Sequence, residues 1–102
     1  MTHGIARSAA HHDLDLIFAA VDTLDALAAD PDAADDRARI YDFSIRWGVL
    51  LAGRLHRLEH FASLGALNTE ERERYDVLVE RLRGASSAAE RLGLTRPKLV
   101  DG

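Results

Sequence analysis

Apolar positions recur at three- and four-residue steps along most of the chain, and three separate stripes can be followed. The first runs through Leu14, Ile17, Phe18, Val21, Leu24 and Ala28, the spacing of one face of an α-helix. Asp13 stands just ahead of it, where a carboxylate can accept from the free amides of a helix start. Leu16, Ala20 and Leu27 widen the stripe past half the circumference and leave Asp15, Asp22 and Thr23 for water. A helix of that kind expects neighbours on two sides.

The segment ADPDAAD interrupts the pattern. Asp30 as cap and Pro31 in the first helical position make a start signal, because proline lacks the amide hydrogen that this position leaves unpaired anyway. A second helix is expected from there, with no stop before Leu64 and Gly65. Its core stripe reads Ile40, Ser44, Trp47, Leu51, Leu55, Leu58 and Ala62. At 1.5 Å per residue such a helix spans roughly 50 Å, whereas a round domain of this size is only about 35 Å across. Either the rod bends, around Gly48 or Gly53, or a second copy of the protein covers its projecting part. The expectation is the second, with or without a bend.

The third helix is announced by LNTEE. Asn68 or Thr69 can cap it, and Glu71 can reach back as the far corner of a capping box. Tyr75, Leu78, Val79, Leu82, Ala85, Ala89 and Leu92 then share one face, and the rest is charged, as on an outer helix. Gly93 ends it, with Leu94 placed for the apolar contact that accompanies a glycine cap and Pro97 barring continuation. The fold class read from these stripes is all-α: a three-helix antiparallel bundle with a long central helix, completed as a larger bundle in a homodimer. One helical domain covers 1–102, with helices over about 13–29, 32–64 and 69–92, a flexible N-terminus at 1–11 and a C-terminal tail at 94–102.

Composition narrows the chemistry. The chain has 102 residues, 47% of them hydrophobic and 29% charged, the ordinary range for a globular protein. It has no cysteine, which excludes disulfides, thiolate metal sites and cysteine nucleophiles. No apolar run approaches the eighteen or so residues of a membrane span, and the start MTHGIARSAAHHD has no continuous apolar core, so a cytoplasmic location is expected. A net charge of −4 argues against a general nucleic-acid binder, whose affinity rests on neutralising phosphates. The charge is unevenly spread. Asp dominates from Asp13 to Asp42, while Arg46, Arg54 and Arg57 face only Glu59 between Phe43 and Leu64, so the two segments can attract each other.

Within SIRWGVLLAG, Ser44, Gly48 and Ala52 follow one another at one-turn intervals, a small-residue groove that another helix can approach closely. Phe43, Ile45, Trp47, Val49, Leu50 and Leu51 point in different directions, so this stretch is expected to be buried all round. Two neighbouring helices hardly supply that cover. Phe43, Ile45, Trp47, Gly48, Val49, Leu51 and Ala52 are therefore the candidate contact residues for a second copy, in a two-fold pair, or for another protein.

HRLEH, residues 56–60, resembles the motif of the inverted zinc peptidases, in which both His bind zinc and the Glu activates water. The resemblance covers five residues. It implies a third ligand from a downstream Glu and a substrate chamber, and Glu70, Glu71, Glu73, Glu80 and Glu90 all fall on the outer helix or its start. His56 and His60 alone keep the spacing two imidazoles need to share zinc or another divalent transition metal, and His11, His12 and Asp13 can approach them from helix 1. That metal site is the alternative to a surface strip in which both His continue the face of Ile45 and Val49. Length, acidity and Trp47-Gly48 also resemble the WXG100 family of helical hairpins, but there the Trp and Gly are one residue apart in a turn, and Val79 stands where an acidic residue should follow Tyr75. Arg54 and Arg57 beside the two His suggest a small anion patch. Asp15, Asp22 and Asp25 have no apolar pocket to raise a pKa for acid–base work, and Ser63, Ser86 and Ser87 sit in no nucleophile elbow. The reading is a helical self-association module without catalysis.

Overall fold

Asp13 does not begin a helix. The computed structural model describes residues 2–97, and across them α1 runs Thr2–Ala29, α2 Arg37–Leu50 and α3 His56–Ser63, with a π-helical stretch Leu51–Leu55 between the last two, and α4 Thr69–Arg91. Met1 and the end of the expected tail, residues 98–102, lie outside the described residues. Among the described residues there is no strand. The first helix thus crosses the segment expected to be flexible, and Asp13 stands inside it, fully buried. An Asp ahead of an apolar stripe looks the same in sequence whether it caps a helix or pairs with a cation across a core.

The link after α1 also differs from expectation. Asp30 Oδ1 accepts from the Asp32 amide at 2.9 Å, which makes a local turn rather than a cap. A single 3₁₀ turn, Ala33–Asp35, follows. Asp36 is the true cap of α2, its Oδ1 accepting from the Arg39 amide at 3.1 Å. Several Asp in this segment have the chemistry to cap. Packing chooses between them, because Ala33 is buried in the core and pins the turn ahead of Asp36.

The other ends follow the expectation closely. Asn68 and Glu71 form a reciprocal capping box, Glu71 amide to Asn68 Oδ1 at 2.8 Å and Asn68 amide to Glu71 Oε1 at 2.9 Å. Gly93 has φ +74°, and beyond α4 the Gly93 and Leu94 amides donate to Glu90 O at 3.1 Å and Ala89 O at 2.8 Å. That paired closure needs a left-handed residue, which glycine adopts without a Cβ penalty. Leu94 is buried beneath it. The same closure ends α3, where Gly65 has φ +68° and the Gly65 and Ala66 amides reach Ala62 O and Phe61 O.

The helix at the middle of the packing is α1. Asp15 pairs with Arg74 and Asp22 with Arg81, so positions on α1 and α4 advance together and the two helices run parallel. The rod of α2 and α3 runs the other way, since α2 begins shortly after the end of α1 while Arg54 and Arg57, further along the rod, meet Asp13 back in the middle of α1. α4 and the rod both contact α1, whereas the backbones of α3 and α4 scarcely approach each other. The broad apolar stripe on α1 is the cause: Leu14, Ile17, Val21, Leu24 and Leu27 are all essentially inaccessible, and two neighbours are needed to bury them. Each such side chain contributes roughly 1.5–3 kcal/mol by leaving water.

The long rod is accommodated by shape. Extents of 47 × 28 × 19 Å show a molecule as long as its longest helical unit, because all three helical units are long and lie side by side. The backbone stays helical at both junctions of the π stretch, with φ/ψ of −64°/−42° at Leu50 and −58°/−43° at His56. Leu55 comes eight residues after Trp47, and a straight α-helix would carry it roughly 80° round from it. The wider turn takes up one extra residue and returns Leu55 and Leu58 to the buried side. Trp47 itself is in the core, its ring 5.8 Å from that of Phe43. Its Nε1 donates to Thr95 O at 2.7 Å, tying the chain after α4 across α2. No helix of the described residues is long and apolar enough to cross a membrane.

Candidate functional site

Around α2 the apolar side chains divide between two destinations. Phe43 and Trp47 point into the core, so these two expected contact residues are taken by the chain itself. Roughly opposite, at 100° per residue, lie Ala38, Tyr41, Ile45, Val49 and Ala52. Tyr41 is 65% exposed, Ile45 51% and Val49 67%, and Ala38 and Ala52 are exposed as well. Leu51 is half-buried and packs against the core. The stretch 43–52 is therefore not buried all round within one chain, because its neighbours lie on one side of it. Gly48 sits at the edge of the bare strip, and a Cβ built on it meets nothing within 4 Å. No contact among the described residues requires its small size.

Tyr41 lies on this exposed strip and is not among the expected contact residues. The signal was present, since Tyr41 precedes Ile45 by one helical turn, but a tyrosine ahead of an apolar run reads equally well as its polar edge.

His56 and His60 are exposed and line a groove of about 680 Å³ between α3 and α4, together with Glu59, Tyr75, Asp76 and Glu80. They do not continue the strip of Ile45 and Val49. The π stretch sets everything after it back by one residue, roughly 100°, and turns both imidazoles toward α4. The carboxylates across the groove are engaged by arginines that line it too, Asp76 with Arg72 at 3.2 Å and Glu80 with Arg83 at 2.8 Å. Among the described residues, no three His, Asp or Glu side chains come together as a metal site. His11 Nδ1 is 2.8 Å from Arg74 Nη1, and Asp13 is held by arginines, so neither joins the histidine pair. Burial, with a smaller contribution from Glu59, pushes the Tyr75 phenol above its ordinary value.

Arg54 and Arg57 do bind an anion, and it is this chain's own. Arg54 Nη1 donates to Asp13 Oδ1 at 2.6 Å, while Arg57 Nε and Nη2 donate to Oδ2 and Oδ1 at 2.9 and 2.7 Å. The attraction expected between the acidic and basic segments takes this form. The carboxylates of α1 are likewise used in packing: Asp15 holds Arg74, and Asp22 and Asp25 hold Arg81 at 2.8 and 3.1 Å. The hydrogen bond that Arg81 donates to Asp22 raises the pKa of Arg81 further.

No known family, no curated protein and no solved structure matches the chain.

Proposed function

We propose that this chain is a small cytoplasmic helical module that acts by pairing with a second copy of itself, without catalysis, through the bare strip of α2. One observation carries the reading: Ile45 and Val49 stand 51% and 67% exposed on a face whose neighbouring glycine has open space where a Cβ would stand, among the described residues. Contiguous apolar surface on a helix, flanked by polar residues, favours association because burying it releases bound water. The two-fold pair is the commonest closed arrangement of identical chains. Sedimentation equilibrium at about 50 µM is expected to give twice the chain mass of 11.2 kDa. Ile45→Glu with Val49→Glu is expected to give the single mass with unchanged helical circular dichroism. A wild-type protein that stays at 11.2 kDa overturns the reading.

A second reading, binding of zinc or another divalent transition metal, is favoured by His56 and His60 standing one turn apart on α3 and opening on the same groove. Its discriminating result is a zinc titration that His56→Ala abolishes. Equal titrations for the wild type and His56→Ala dispose of it.

A further inference from the structure

Two unpartnered charges lie along one flank of the bare strip. Counted at 100° per residue from Ile45, Asp42 stands about 60° round and Arg46 about 100° round on the same side, and the opposite flank carries Ser44 and Gly48. Asp42 and Arg46 are exposed. The Asp side chains of α1 are all drawn into ion pairs, as are most charged groups of α4, but among the described residues neither of these two has one. They are also four apart in the order acid then base, so that a helix meeting its own copy in reverse sees the complementary order.

We infer that two copies pair antiparallel along α2, with Asp42 of each chain against Arg46 of the other. This rests on the proposed self-association and specifies its geometry. A two-fold axis lying in the contact plane across two antiparallel helices brings the same flank of each helix to the same side, in opposite directions. Asp42 of one copy then lies level with Arg46 of the other, twice over, while Ile45 packs beside its counterpart and Val49 runs toward the Tyr41 region of the partner. A parallel pair places the Asp42 and Arg46 flank against the Ser44 and Gly48 flank instead, and forms no such charge pairs. The apolar strip provides the area, and the two charge pairs select the direction.

Charge reversal tests this. Asp42→Arg and Arg46→Asp, each alone, replace both attractions by repulsions, and each is expected to raise the dimer dissociation constant by about tenfold at low salt. Mixed in equal amounts, the two variants restore attraction at both positions and are expected to form a heterodimer of wild-type affinity, detected by exchange between fluorescently labelled chains. The effect should fade at 1 M salt, where screening acts within about 3 Å. If the wild type dimerises but single reversals leave the dissociation constant unchanged, the antiparallel clasp is wrong and the self-association stands. Reversals that weaken pairing with no recovery on mixing also overturn the clasp. A monomeric wild type removes both.

Discussion

Asp13 on α1 and Arg57 on α3 are joined by two parallel N–H···O bonds, Nε to Oδ2 at 2.9 Å and Nη2 to Oδ1 at 2.7 Å, and the carboxylate they hold has 1% of its surface accessible. Such a fork fixes both position and plane, which a lysine cannot do. Arg54 adds a third bond to Oδ1. The two guanidinium side chains remain 38% and 47% exposed, so the arrangement buries the anion and leaves its cations half in water. It clamps the start of α1's apolar stripe to the junction between the π stretch and α3.

Removing the partners is therefore expected to cost more than removing the anion. Arg54→Ala and Arg57→Ala together strand a buried carboxylate, a loss of about 3–5 kcal/mol in unfolding free energy. Asp13→Ala frees two cations that can rehydrate, and is expected to cost about 1–3 kcal/mol. Urea denaturation of the variants gives this order; a larger loss for Asp13→Ala than for the double variant contradicts it.

Two glycines in this chain should respond oppositely to alanine. Gly93, at φ +74°, closes α4, and Gly93→Ala is expected to lose about 1–2 kcal/mol because a Cβ in the left-handed region meets the following carbonyl. Gly48 lies within α2 with open space where its Cβ would be, so Gly48→Ala is expected to gain up to about 1 kcal/mol from helix propensity. Urea unfolding of dilute protein, where pairing does not contribute, measures both. A destabilised Gly48→Ala would mean that this position is crowded in the folded chain.

Tyr75 sets an alkaline limit. Burial, then the charge of Glu59, holds its phenol protonated beyond the usual value near 10, so above that pH the folded chain keeps a proton that the unfolded chain releases. The stability it contributes is fully present below about pH 10 and is lost as the pH rises from there through the folded value. Tyr75→Phe removes the titration, and its melting temperature is expected to fall less than the wild type's between about pH 9.5 and 11. Parallel curves for the two proteins refute this.

Most of the local structure was legible in the sequence. The stripe of α4, its Asn68–Glu71 box and its Gly93 closure depend on residues within a few positions of one another, and short-range hydrogen bonding decides them. The breadth of α1's stripe likewise announced two neighbours. Helix starts were less legible wherever Asp was plentiful. Asp13, Asp30 and Asp36 carry the same functional group, and only one of them caps a helix.

The division between chain and fold follows from range. Helical class and the presence of apolar side chains all round residues 43–52 are set by periodicity, which a linear chain carries in full. Which of those side chains stay dry was decided by tertiary packing: the core took Phe43 and Trp47 and left Ile45 and Val49 outside. The direction of His56 and His60 was decided there too, because a single π turn, formed where Leu55 must rejoin the core, rotates all that follows it. A pattern counted at a constant angle per residue cannot register that turn, and the partners of Asp13 lie forty-odd residues away, beyond any local rule.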